Sequence, residues 1–390
     1  MAPTNSDTAF FGHPRGLSTL FFTEMWERFS YYGMRAILIL FMTTPIAVGG
    51  LEWDAAKAGA VYGTYTALVY LMALPGGWIA DRILGLRRSV FVGGVIIMTG
   101  HILLAVPGSE IFFYLGLLCV VLGTGLLKPN ISALVGQLYT QGDVRRDAGF
   151  SIYYMGINLG AFLSPLVCGW LAQAESFQRI LTGWGISPES SWHFGFGAAA
   201  VGMFFGLVQY LATGHYMGDA GKVALGAGDE TEQAATRRKF WIGVIGVLAV
   251  VAALVLMARQ GFFTFTAELV ATAFGWLLAV IVVGFFAWLF MASSWTSQER
   301  KRLIVIGVLF FGAAVFWSAF EQAGSTLNLF ADRSTRSSVF GMTFPASWFQ
   351  SLNALYIVLL APLFAAFWVK LGPRDPSSPT KFAVGLFFLA

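Results

Sequence analysis

Ten apolar stretches follow one another along this chain, at approximately residues 17–43, 57–80, 89–107, 111–136, 147–173, 192–214, 239–258, 267–291, 301–323 and 347–370. An eleventh begins near Lys381 and stops at Ala390. A helix of about 20 apolar residues crosses a bilayer. Backbone in hydrocarbon must satisfy its own hydrogen bonds, so a chain of this pattern is expected to be all-α and polytopic. Charge agrees: 11% of residues are Asp, Glu, Lys or Arg, against about 25% in soluble domains. The net charge of +4 is small and argues nothing for nucleic acid. Cys119 and Cys168 lie in apolar runs and are read as packing residues, not as a disulfide framework or metal cluster. The first apolar stretch is too long and too charged for a cleaved leader.

Orientation follows from Lys and Arg in short loops. Arg82, Arg87 and Arg88 follow the second stretch, Arg145 and Arg146 the fourth, and Lys222, Arg237, Arg238 and Lys239 the sixth. The alternate loops hold little. Both ends of the first six helices, including the N-terminus, are therefore expected in the cytoplasm of a multi-pass protein of the cell (inner) membrane. Six helices followed by a polar linker resemble one bundle of the major facilitator superfamily. The sequence G-G-W-I-A-D-R-I-L-G-L-R-R at 76–88 strengthens that resemblance and reads as a tight loop. The seventh and eighth stretches leave and return to the basic side, so they are expected to form an extra helical hairpin at the bundle periphery. This gives an N-terminal bundle over 1–214, a linker with two inserted helices over 215–300, and the start of a second, incomplete bundle over 301–390.

Four constellations could carry chemistry. Residues 23–35, T-E-M-W-E-R-F-S-Y-Y-G-M-R, put Glu24, Glu27, Arg28, Tyr31 and Arg35 within an arc of roughly 100° on the first helix. A charge at mid-bilayer costs roughly 2.5–3.5 kcal/mol, so such residues face partners or water. Lys128, in G-T-G-L-L-K-P-N, sits beside the helix-bending Pro129. In F-S-I-Y-Y-M-G-I-N-L-G, Tyr154 and Asn158 share a face, and Gly156 and Gly160 permit close helix approach. In F-W-S-A-F-E-Q-A-G, Trp317 precedes Glu321 by one turn, and Asn353 is a weaker candidate on the next helix. No Walker sequence, H-E-x-x-H, G-x-S-x-G or Cys/His zinc spacing is present. An ion gradient is therefore the expected energy source, and membrane carboxylates make protons the natural ion.

E-x-x-E-R-F-S-Y-Y-G, the Gly/Asp segment, the Lys-Pro pair and Y-Y-x-x-I-N-x-G together resemble the proton-dependent oligopeptide transporter family, prokaryotic type. The resemblance implies symport of di- and tripeptides with protons by alternating access, with no cofactor and no metal, by a monomer in the bilayer. It places Glu24, Glu27 and Arg28 in proton coupling, together with Glu321. It gives Arg35 and Lys128 to the peptide carboxylate, and Tyr31, Tyr32, Tyr70 and Asn158 to the polar wall. Glu321 would pair with Arg35 at the outer gate, Lys128 would serve a second gate, and Trp317 and Asn353 would line the pocket. The family's animal members use a helix 2 histidine that this chain lacks. The family has twelve core helices, so the polypeptide is expected to represent part of a longer chain. Alternatives are a proton-coupled carrier of nitrate or a drug-like solute, a membrane-embedded enzyme, and a non-transporting sensor.

Overall fold

The computed structural model describes residues 7–222, 229–291 and 295–389. It is helical apart from two short strands, β1 (Ser338–Val339) and β2 (Met342–Thr343). The first bundle contains α1 (Gly16–Thr43), α2 (Ala55–Leu71), α3 (Ala73–Ile79), α4 (Leu86–Leu104), α5 (Glu110–Gln137), α6 (Arg146–Gln173), the short α7 (Glu175–Gly183) and α8 (Ser191–Thr213). Then come α9 (Glu230–Arg259), α10 (Ala267–Met291), α11 (Ser297–Phe320), α12 (Thr326–Ser334), α13 (Gln350–Leu371) and α14 (Ser378–Leu389). Nine helical stretches of the described residues are long and apolar enough to cross a membrane. At 28 residues, α1 is about 42 Å long and differs from them by its interior charges.

Residues 76–88 do not form the tight loop expected of them. Pro75 is tolerated because it sits in the first turn of α3, and the helical path runs on through residues 80–84. The turn is made by Gly85 alone, at φ 78°, a left-handed backbone value that favours glycine. Gly76 serves helix contact instead, while Gly77 faces open space. A Cβ on Gly76 would lie 1.9 Å from the carbonyl oxygen of Gly125, so α3 and α5 touch backbone to backbone. Asn130, just past Pro129, ties the same crossing by donating from Nδ2 to the Gly76 carbonyl at 3.3 Å. The helix α7 was not anticipated, because its nine residues are too few and too polar to stand out as a membrane span.

Gly76→Val is accordingly expected to prevent bundle assembly, since neither backbone can yield by the distance required. Yield of monodisperse protein on size exclusion checks this. Gly59→Val, whose Cβ would meet nothing within 4 Å, should leave that yield unchanged.

Helix α1 is buried almost all round, because α6 and α8 flank it closely. A Cβ on Gly160 of α6 would fall 2.2 Å from the Met25 carbonyl oxygen. One apolar cluster surrounds the Thr43 end of α1, with Leu38, Phe41, Trp53, Phe113 and Phe196. A second surrounds its Gly16 end, with Leu17, Leu20, Leu127, Leu134 and Leu207. Residues 214–222 fold against this second end, where Arg87 donates to the carbonyls of Gly218 at 2.7 Å and Ala220 at 2.5 Å.

The α9–α10 pair lies outside the bundle. Its described residues are mostly exposed, and α10 runs along α2. The segment from α11 onward meets the bundle near its Thr43 end. Asn328 donates to the Ala36 carbonyl at 2.8 Å. Trp348 donates to Leu166 O at 3.1 Å and Ser351 to Phe162 O at 2.7 Å, joining the start of α13 to α6.

Candidate functional site

The charges of α1 split into two clusters along its length. In the lower one, Arg28 Nε lies 3.1 Å from Glu24 Oε1 and contacts Glu27 Oε2. The i,i+4 spacing puts Glu24 and Arg28 one turn apart on the same face, and all three side chains are buried. Two carboxylates thus face one guanidinium. Glu24 Oε2, Glu27 Oε1 and Arg28 Nη2 are buried without a hydrogen bond. A single positive charge balances one carboxylate, and the other must be neutral or lean on a more distant cation, because an unpaired buried charge is costly. The nearest further cation on α5, Lys128, forms no ion pair with either acid among the described residues; its ammonium sits over the Tyr70 ring. Tyr31 and Tyr32 cover Arg28, whose guanidinium carbon is 5.2 Å and 5.9 Å from their ring centroids. Such stacking is worth about 0.5–2 kcal/mol per ring.

Seven residues after Arg28, Arg35 points to the second half. Its Nη2 lies 2.7 Å from Glu321 Oε2 and 3.4 Å from the Glu321 carbonyl. Its Nε donates to the Tyr62 hydroxyl at 2.6 Å. Gly324 makes room for this group: a Cβ there would meet the Tyr62 hydroxyl at 1.9 Å. Glu321 also accepts from the Tyr70 hydroxyl at 3.1 Å, and Lys128 Nζ stands 4.3 Å above the Tyr70 ring. Tyr70 therefore connects the one cation of α5 to the carboxylate that ends α11.

These residues border a cavity of about 500 Å³ between α2 and the end of α11, lined by Tyr62, Thr66, Tyr70, Trp317, Glu321 and Gln322. Among the described residues Glu321 is the one charged residue in its lining; Arg35 stands behind Glu321, and Lys128 lies on the far side of Tyr70. Of the expected binding residues, Tyr70, Trp317 and Glu321 line this cavity, and Tyr31, Tyr32, Arg35, Lys128, Asn158 and Asn353 do not. Asn158 is buried, with its amide donating to the Tyr154 carbonyl of its own helix at 2.9 Å. Asn353 is exposed on α13 and does not line this cavity. Tyr62 was missed, and Tyr65 and Tyr153 with it. The first two belong to a stripe, Tyr62, Tyr65, Thr66, Tyr70, that helical spacing on α2 makes visible. Tyr153 adjoins Tyr154 in the α6 segment and neighbours Glu24.

Among the described residues no group of three or more His, Cys, Asp or Glu could hold a metal ion. The arrangement offers instead exchangeable protons and reversible ion pairs across a contact between two halves. The sequence profile of the POT family matches residues 87–390. The chain belongs to the POT family.

Relatives of this POT chain include the peptide transporter YePEPT of Yersinia enterocolitica, 39% identical over 99% of this chain and 74% of that protein. The uncharacterized transporter YclF of Bacillus subtilis (strain 168) is 45% identical over 97% of this chain and 72% of its own length. Among solved structures, a peptide transporter POT mutant in complex with alafosfalin is 46% identical with a TM-score of 0.85, covering 98% of this chain and 73% of that one. The POT fold thus extends over the described helices, and the chain is a membrane transporter and not an enzyme.

Proposed function

We propose that this POT chain carries di- and tripeptides together with protons by alternating access. The relatives' names supply the substrate class, peptides. The observation that carries the coupling is the buried Glu24–Arg28–Glu27 cluster, in which two carboxylates share one guanidinium. Such a cluster changes its pairing when one proton arrives. With both acids ionised, Arg28 is held between them. With one protonated, Arg28 keeps a single partner and the residual negative charge of the cluster disappears.

A peptide is a zwitterion whose side chains vary, so its site needs separated poles more than side-chain contacts. Lys128 and Arg35 take the carboxylate end, and Glu321 takes the amine end once released from Arg35. Tyr62 and Tyr70 supply neutral donors between them, and Trp317 closes one wall. Tyr31 and Tyr32 position Arg28 through their rings. Asn158 and Asn353 join this set only after the helices around them move. The Arg35–Glu321 pair is the gate at the Thr43 end. Basic loops put the Gly16 end, and so the N-terminus, in the cytoplasm of the cell membrane.

The test is uptake of labelled dialanine by the full polypeptide in liposomes under an inward proton gradient. Concentrative uptake, inhibited by di- and tripeptides but not by free amino acids, with the peptide recovered intact, is the expected result. Uptake indifferent to the proton gradient, or competed by nitrate and not by peptides, would overturn the proposal. Binding without flux would identify a sensor.

A further inference from the structure

A second cavity, of about 700 Å³, opens between α2, α5 and the inserted helix α10. It uses a face of α2 neighbouring that of the gate cavity: Val61, Thr64, Tyr65 and Leu68 line it, whereas Tyr62, Thr66 and Tyr70 line the other. Val121 of α5 and Val270 of α10 complete apolar walls. Lys57 and Glu268 also border it, each in the first turn of its helix and at the Thr43 end. From Lys57 to Leu68 the wall runs about 16 Å, half of a hydrocarbon core of about 30 Å. The cavity is therefore a slot one leaflet deep, mostly apolar below apart from the Thr64 and Tyr65 hydroxyls, and charged at its mouth.

The two charges are opposite and free for a ligand. Lys57 Nζ lies 3.8 Å above the Trp53 ring, at the edge of the bundle. Glu268 is exposed. Among the described residues neither forms an ion pair. A partner with a buried apolar chain and a headgroup bearing both a cation and an anion matches each part of the slot. We propose that this slot binds one phospholipid with a primary-amine zwitterionic headgroup, of the phosphatidylethanolamine class. Its acyl chain lies between Val61, Val121 and Val270, its phosphate meets Lys57 and its ammonium meets Glu268. A primary ammonium donates hydrogen bonds to a carboxylate, which a trimethylammonium cannot. The inserted hairpin thus completes a lipid site that the bundle alone would leave as open surface.

The experiment uses the full polypeptide in vesicles containing phosphatidylethanolamine with a photoactivatable group midway along one acyl chain. Labelling is mapped by mass spectrometry, and dialanine uptake reports folding of each variant. Labelling is expected to concentrate on peptides from α2, α5 and α10 and to fall several-fold in Val61→Trp, which fills the slot. Unlabelled phosphatidylethanolamine should compete several-fold better than phosphatidylcholine or phosphatidylglycerol; Glu268→Gln should erase that preference, and Lys57→Gln should weaken competition by all three alike. Labelling spread evenly round the bundle, or unchanged in an active Val61→Trp variant, would overturn the site. Equal competition by phosphatidylcholine would overturn the ammonium contact. Equal competition by phosphatidylglycerol would leave Lys57 reading phosphate alone and overturn the zwitterion assignment.

Discussion

Glu27→Gln is expected to reduce the accumulation ratio of a labelled dipeptide to about one, while leaving counterflow exchange in place. The reason lies in the count of charges around Arg28. Glu24 and Glu27 both contact the same guanidinium nitrogen, and glutamine at 27 fixes the cluster in the pairing that protonation would otherwise create and reverse. The binding poles, Lys128 and the Arg35–Glu321 pair, are left in place, so the peptide still binds and exchanges down its gradient. For a one-proton cycle, each pH unit of gradient supplies about 1.4 kcal/mol, or about tenfold accumulation; the native protein should approach that figure and the variant should not. Uptake of dialanine into liposomes at one unit of imposed gradient measures both. If Glu27→Gln still concentrates peptide tenfold, the shared guanidinium is a packing device and the proton is handled elsewhere.

The same cluster shows what the sequence could and could not convey. Helical spacing alone placed Glu24, Glu27, Arg28 and Arg35 on one face, because 3.6 residues per turn fixes neighbours within a helix. It could not say that the face divides, with Glu24, Glu27 and Arg28 sealed inside the first bundle and Arg35 reaching α11. That division depends on how α2 and α11 approach α1, which is a matter of contacts far apart in sequence. Tyr62 went unnoticed for this reason: a tyrosine on an apolar helix is unremarkable until Arg35 is found 2.6 Å away. The misread glycine segment at 76–85 has the same origin. Glycine marks both turns and helix crossings, and only the partner, here Gly125 on α5, decides which. The hairpin at α9–α10 was legible from the parity of basic loops, yet the slot it forms with α2 was not, since an apolar face looks alike whether it meets lipid tails or a cavity.

Glu321→Gln is expected to shift the protein toward a conformation open at the Thr43 end, by about 5- to 150-fold in the equilibrium. Removing one member of a buried ion pair costs about 3–5 kcal/mol. The Glu321 side chain keeps 21% of its exposure, and Arg35 retains the Tyr62 hydroxyl, so about 1–3 kcal/mol is the fitting range here. The loss falls on the shut state alone, because the pair spans the two halves and cannot form once they part; a ligand or mutation moves an equilibrium only by what it contributes differently to the two states. Spin labels at Ile46 and Phe340, both exposed, in a background lacking Cys119, would report the separation at this end. A longer distance should appear in Glu321→Gln and in Arg35→Gln, and the double variant should open little further than either, since the partners act as one unit. Glu321 also holds Tyr70, and Tyr70 lies under Lys128. Opening therefore frees Glu321, proposed for the peptide amine, and uncovers Lys128, proposed for its carboxylate, in one step, which would tie admission of a peptide to the gate without any further moving part. An unchanged distance distribution in all three variants would mean that α12 and α13, through Asn328 and Ser351, hold this end shut and that the ion pair merely occupies it.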